Sequence, residues 1–289
     1  MNQRVRIAAI QFDHRPVKRF DEFAAQVFNF VRLAEDDRCQ LVVFPEYLTA
    51  PLVALDPDWN RWTGPYRELF SGLARSTKMT ILAGTHITDR DERQYNTAHL
   101  FLPSGEMYTQ DKLHMTPCEG EQSWCLSRGE GLTVIDTPFG RVAILVCFDV
   151  EFPDPARIAA EAGADILLVP SATADRAGFW RVRHCCHARA VENQVYVVHS
   201  ALVGGLPGVR YMEQSYGKSG IITPCDLPFP PGGLMTEGEW NQGLCVTGEI
   251  DLSLLHHIRQ AGSVLPRAER RPEAYRILVP ERQVRRAES

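Results

Sequence analysis

Apolar residues along this chain follow two rhythms that alternate. Short, nearly continuous apolar runs lie at Val5–Ile10, Leu41–Phe44, Thr80–Ala83, Thr97–Leu102, Thr133–Ile135, Val142–Val146, Ile166–Val169, Val195–His199, Gly220–Ile222 and Gly243–Ile250. Runs of this length, bounded by turn residues, predict buried strands. Between several of them the spacing changes. Phe23, Val27, Phe30, Val31 and Ala34 fall on one face of a helix over Phe20–Ala34, and similar spacing recurs near Tyr66–Ser76, Asp154–Glu161, Phe179–Glu192 and Leu252–Arg259. Pro103-Ser104-Gly105 and Pro138-Phe139-Gly140 supply tight turns, and Asp226–Gly233, rich in proline and glycine, reads as a surface loop. This order predicts an α/β fold with two sheet faces to cover.

No repeat, low-complexity tract or linker divides the chain, and 289 residues with 44% hydrophobic content suffice for one large core. The expected organisation is one domain over 1–289, with 267–289 a charged arm on the surface or on a partner subunit. A formal net charge of −5 disfavours nucleic acid as a partner and leaves a small molecule as the expected ligand. The chain runs from Met1 almost directly into a strand, without a leader or an apolar run long enough for a bilayer, so a cytoplasmic protein away from membranes is expected. The eight cysteines are irregularly spaced and read as reduced thiols.

Three strand ends carry candidate chemistry. Cys147 ends an apolar strand and precedes a helix begun by Pro153, a position where a thiol faces backbone N–H groups and ionises more readily. Glu46 follows Phe44-Pro45, and Lys112 ends the run Met107–Asp111. Together they offer a nucleophile, a base and an electrophilic cation. His184-Cys185-Cys186-His187 superficially suggests a metal site, but without a second ligand pair it reads as helix packing. No metal or cofactor is expected.

With Glu46, Lys112 and Cys147 in that order, the chain resembles the nitrilase superfamily of carbon–nitrogen hydrolases. The similarity runs through Ile7-Ala8-Ala9-Ile10-Gln11, Phe44-Pro45-Glu46, Asp111-Lys112-Leu113-His114, Cys147-Phe148-Asp149 with Phe152-Pro153, Trp180, Arg189–Asn193, Gly217-Lys218-Ser219 and Gly248–Asp251. The resemblance implies a four-layer α-β-β-α sandwich and a homodimer or larger homo-oligomer paired through helices, with Trp180, Val182–Asn193 and the C-terminal arm at the interface. It also implies a Glu-Lys-Cys triad that cleaves non-peptide C–N bonds through a thioester. In that scheme Glu46 is general base and acid, Cys147 the nucleophile, and Lys112 with the backbone N–H of Phe148 the oxyanion donors. Many members carry a second glutamate shortly after the lysine; Glu119 is the preferred match and Glu121 the alternative. Arg189, Glu192 and Asn193 are expected to brace the cysteine turn.

Nitrile-cleaving members usually have tryptophan and glutamate directly after the nucleophile. This chain has Phe148-Asp149 and is more similar to amidases. Omega-amidase-like members commonly have arginine near the position of Glu151, so an acidic residue there favours a neutral or cationic amide over a dicarboxylate monoamide. Nitriles, carbamoyl amines, acyl transfer and an inactive scaffold remain alternatives.

Overall fold

The structure, a computed structural model, describes residues 4–120 and 124–274. In chain order the elements are β1 (Arg4–His14), α1 (Phe20–Asp36), β2 (Leu41–Val43), α2 (Ala50–Val53), α3 (Trp59–Thr77), β3 (Thr80–Arg90), β4 (Arg93–Phe101) and β5 (Met107–Asp111). Then come β6 (Val134–Asp136), β7 (Arg141–Ile144), α4 (Pro153–Glu161), β8 (Ile166–Ser171), α5 (Arg176–Asn193), β9 (Tyr196–Gly204), β10 (Gly220–Ile222), β11 (Leu234–Glu237), β12 (Leu244–Asp251) and α6 (Leu252–Ala261).

The strands form two facing halves, β5-β4-β3-β2-β1-β12 and β6-β7-β8-β9-β10-β11. They meet where Phe12–His14 at the end of β1 runs parallel to Leu202–Gly204 at the end of β9. Strand alternation builds the layers. Val5, Ile7 and Ala9 of β1 join the core between the sheets, whereas Ala8, Ile10 and Phe12 join the core beneath α1 and α3. On that outer side Phe23, Val27, Val31 and Ala34 of α1 are buried, and Phe44 meets Phe70 of α3 with ring centroids 5.5 Å apart. On the other side Ala156, Ala159 and Ala160 of α4 and Val182, Cys186 and Ala190 of α5 cover β7, β8 and β9. The result is the expected α-β-β-α sandwich. No helix among the described residues is long and apolar enough to cross a membrane.

Several boundaries differ from the expected ones for identifiable reasons. Helix α3 begins at Trp59 instead of near Tyr66 and runs through Pro65; Asp58 caps it by accepting from Asn60 N at 3.1 Å, and Trp62 stacks on Phe20. Packing overrides the proline there. Strands β3 and β4 extend into a long hairpin turned by Asp91 and Glu92, both with positive φ, a pair that lacks the usual Asn-Gly signature. Within β3, Gly84 at φ 67° lies so close to Pro45 that an added Cβ would sit 2.0 Å from the Pro45 carbonyl oxygen. This close approach seats the Phe44-Pro45-Glu46 turn on the sheet. Strand β11 and the short α2 were not expected. Of the C-terminal arm, Arg267 donates to Ala160 O at 2.5 Å and Arg270 pairs with Glu161, so its described part lies on the end of α4. Residues 275–289 and Glu121 lie outside the described residues.

Candidate active site

The three predicted side chains converge at one end of the sandwich. Glu46 lies just beyond β2, Lys112 directly follows β5, and Cys147 opens a 3-10 turn, Cys147–Glu151, that separates β7 from α4. Cys147 takes φ 48°, a left-handed conformation that is costly for a non-glycine residue and that projects its side chain off the strand end. All three are buried. They open onto a cavity of about 310 Å3 whose wall also includes Phe148, Trp124 and Met212.

Lys112 Nζ donates to Glu46 Oε1 at 2.8 Å and to both oxygens of Glu119, at 2.8 and 2.7 Å. Glu119, the preferred second glutamate, therefore shares the lysine with Glu46. Their other partners differ. Glu119 also accepts from the Tyr47 hydroxyl, from Asn96 Nδ2 at 3.1 Å, and from Thr116 N and Oγ1 at 3.0 and 2.7 Å. Glu46 accepts from Asn96 Nδ2 at 2.9 Å and, across the seam between the sheets, from Ala172 N at 3.0 Å just past β8.

This inequality divides the two carboxylates electrostatically. Burial disfavours charge on both, but the Lys112 ammonium and the hydrogen bonds of Tyr47 and Thr116 hold Glu119 down at about 2. At Glu46, burial together with the negative charge of Glu119 prevails over Lys112 and raises the pKa above the ordinary carboxylate range. Burial alone would lower Lys112, yet the two carboxylates raise it well above its usual value, so it carries a fixed positive charge. The Cys147 thiol is pushed well up by burial and by Glu46. The strand-end position was expected to ease its ionisation, and the surroundings reverse that: the resting group is a neutral thiol beside a carboxylate able to take its proton. A carboxylate of raised pKa, a neutral thiol and a permanent cation thus face one cavity.

Beneath them, Asp149 ties the lysine turn to the cysteine turn. Buried at 0% exposure, it accepts from Leu113 N at 3.1 Å, His114 N at 2.8 Å, His114 Nδ1 at 2.9 Å and Val146 N at 3.1 Å. Arg189 braces the same turn from α5, donating to Val150 O at 3.0 Å and Glu151 O at 2.9 Å while pairing with Glu192 at 3.0 Å, as expected. Glu151 and Arg181 lie farther along the cavity wall and pair at 3.3 Å. Sequence reasoning missed Asn96, Tyr47 and Ala172. The one available signal was an amide side chain, Asn96, at the start of an otherwise apolar strand run. His184 of the apparent metal motif is exposed and stacks on Trp180, whereas Cys186 is buried in the core.

Fold and site together define a class: the chain belongs to the carbon-nitrogen hydrolase family, whose pattern matches residues 6–260. Among individual proteins, it is 40% identical over 282 residues to the probable hydrolase YhcX of Bacillus subtilis, a match covering 94% of this chain and 55% of that protein. The chain thus spans about half the length of that relative. It is 26% identical over 284 residues to the omega-amidase NIT2 of Bos taurus, covering 94% of this chain and 97% of the other. The crystal structure of Saccharomyces cerevisiae Nit3, a member of branch 10 of the nitrilase superfamily, superimposes with a TM-score of 0.73 at 25% identity, covering 90% of this chain and 94% of that one.

Proposed function

We propose that this protein hydrolyses a small amide to its carboxylic acid and ammonia through a thioester on Cys147. The observation that supports this best is the contrast between the two glutamates around Lys112, one held ionised and one with its pKa raised by burial, beside a buried neutral thiol. Glu46 takes the thiol proton as Sγ bonds to the amide carbon. The carbonyl electron pair moves to oxygen, where the Lys112 ammonium and the Phe148 N–H stabilise it. Collapse breaks the C–N bond as Glu46 returns the proton to nitrogen, and ammonia leaves. Water then adds to the thioester, Glu46 accepts its proton, and Cys147 leaves as thiolate to be reprotonated. Glu119 stays ionised throughout and orients Lys112.

The cavity wall bears on the substrate. Glu151 faces it, which favours a neutral or cationic amide; Arg181 beside it, with relatives named omega-amidases, supports a second reading in which a substrate carboxylate binds. Matched amides, carbamoyl amines and nitriles assayed for ammonia and acid decide the bond type. Amides should exceed their nitriles in kcat/KM by at least about tenfold, or about 1.4 kcal/mol. A nitrile preference across the panel would overturn the amidase assignment.

The proposal includes one catalytic domain acting as a homodimer. Ile158 on α4 and Val191 on α5 are exposed apolar residues, 58% and 39% accessible, and with Ala188 they offer a face for helix pairing. Light scattering at working concentration should give a species of about twice 32.5 kDa.

A further inference from the structure

The geometry points to a terminal ammonium group on the substrate, bound by Glu151 in exchange for Arg181. This inference rests on the amide-hydrolase reading and adds the far end of the molecule. Cys147 and Glu151 occupy the two ends of one 3-10 turn, and both line the cavity. Phe148 and Glu151, three residues apart, lie on the same side of such a turn because its side chains eclipse every third residue. The turn therefore carries the reacting sulfur, an apolar ring next to it and a carboxylate three residues on, all lining the cavity. Cys147 and Glu151 are four residues apart, so a substrate that spans them carries a short aliphatic chain between its amide and its ammonium.

The existing partner of Glu151 can be displaced. The Arg181 side chain is 63% exposed and reaches Glu151 only through Nε, at 3.3 to 3.4 Å, a long contact. The Glu151 side chain is only 17% exposed and its backbone oxygen is fixed by Arg189. The carboxylate is thus the more buried member of the pair and the guanidinium the more solvent-exposed one. A substrate ammonium entering the cavity would meet a positioned, partly desolvated anion, and Arg181 would swing into water. A substrate carboxylate would instead have to displace Glu151 from Arg181 while remaining close to it, with like charges opposed. Asp175, also on the wall, is occupied at Oδ1 in accepting from Gly178 N at 2.7 Å.

The test compares three amides of equal length, each with four methylenes, ending in an ammonium, a methyl or a carboxylate. The amino amide should exceed the methyl analogue at least about tenfold in kcat/KM, with the carboxy amide lowest. Glu151→Gln should bring the amino-to-methyl ratio to within about twofold, and Arg181→Gln should widen it. A carboxy preference, a series blind to charge, or a ratio unchanged in Glu151→Gln would overturn the inference. Calorimetric binding of the same three amides to Cys147→Ala protein separates it from the parent reading. An ammonium preference in binding that is lost in Glu151→Gln supports the charge assignment even if the wild type cleaves none of them, a result that would sink only the amide-hydrolase reading; binding without that preference sinks the inference alone.

Discussion

Replacing Asn96 by leucine removes a hydrogen-bond donor from the centre of the site while nearly preserving side-chain volume. Asn96 Nδ2 serves Glu46 Oε1 at 2.9 Å and Glu119 Oε1 at 3.1 Å. A hydrogen bond to an ionised group nets roughly 1.5–3 kcal/mol, and one pKa unit corresponds to about 1.4 kcal/mol. The loss falls unequally. Glu119 keeps Lys112, Tyr47 and Thr116, whereas among the described residues Glu46 keeps only Lys112 and the Ala172 N–H as hydrogen-bonding nitrogen donors. Charge on Glu46 becomes harder to maintain, so a pKa already raised by burial rises further, by about one unit. Because kcat/KM at low pH follows protonation of the free enzyme's base, its acidic limb should move upward by about one unit, with less than a tenfold loss on the plateau. Stability should fall by about 1–3 kcal/mol, measured by thermal unfolding. An unchanged pH profile together with that loss of stability would show that Asn96 only fills space and would refute the shared-donor argument.

Other outcomes follow from the same network. Cys147→Ala and Glu46→Gln should each abolish turnover, the second without unfolding the chain, as circular dichroism would show. Lys112→Ala should lower the rate on the order of 10²–10³ and also destabilise by about 3–5 kcal/mol, because it leaves Glu46 and Glu119 buried without their counter-ion; a fall in rate with no fall in melting temperature would contradict the buried pairing. Glu119, held at about 2 against an ordinary 4.5, contributes stability that is complete above 4.5 and lost as pH falls toward 2. Glu119→Gln should therefore lose most relative to wild type near neutrality, with the difference in melting temperature shrinking over that acid window.

The sequence made the architecture legible where burial sets the pattern. Strands β1, β2, β8 and β9 are apolar because both faces are covered, and α1 shows its stripe because one face is not. It was less informative where tertiary contacts overrule local signals, as at Pro65 inside α3 or in the Asp91-Glu92 hairpin. The convergence of Glu46, Lys112 and Cys147 was legible because each ends a predicted strand and the three together match the order of a known family. Asn96, Tyr47 and Ala172 were not, since an amide, a phenol and a backbone N–H acquire meaning only when β4, the turn after β2 and the end of β8 meet. Thiol acidity was misjudged for the same reason: local geometry favours ionisation, but burial of the strand end, together with a carboxylate from the other sheet, opposes it.

The pairing of one buried ammonium with two buried glutamates fixes the charge inventory of the pocket. With both glutamates ionised and the thiol neutral, the four groups sum to one negative charge. In the mechanism we propose, the first proton moves from sulfur to Glu46 and then to a nitrogen that leaves as neutral ammonia, so that sum is preserved until the acid product ionises. Acylation in that mechanism is thus a redistribution of charge among buried groups, without ion uptake or release. Its single-turnover rate should accordingly be nearly indifferent to added salt, even where salt alters capture of a charged substrate.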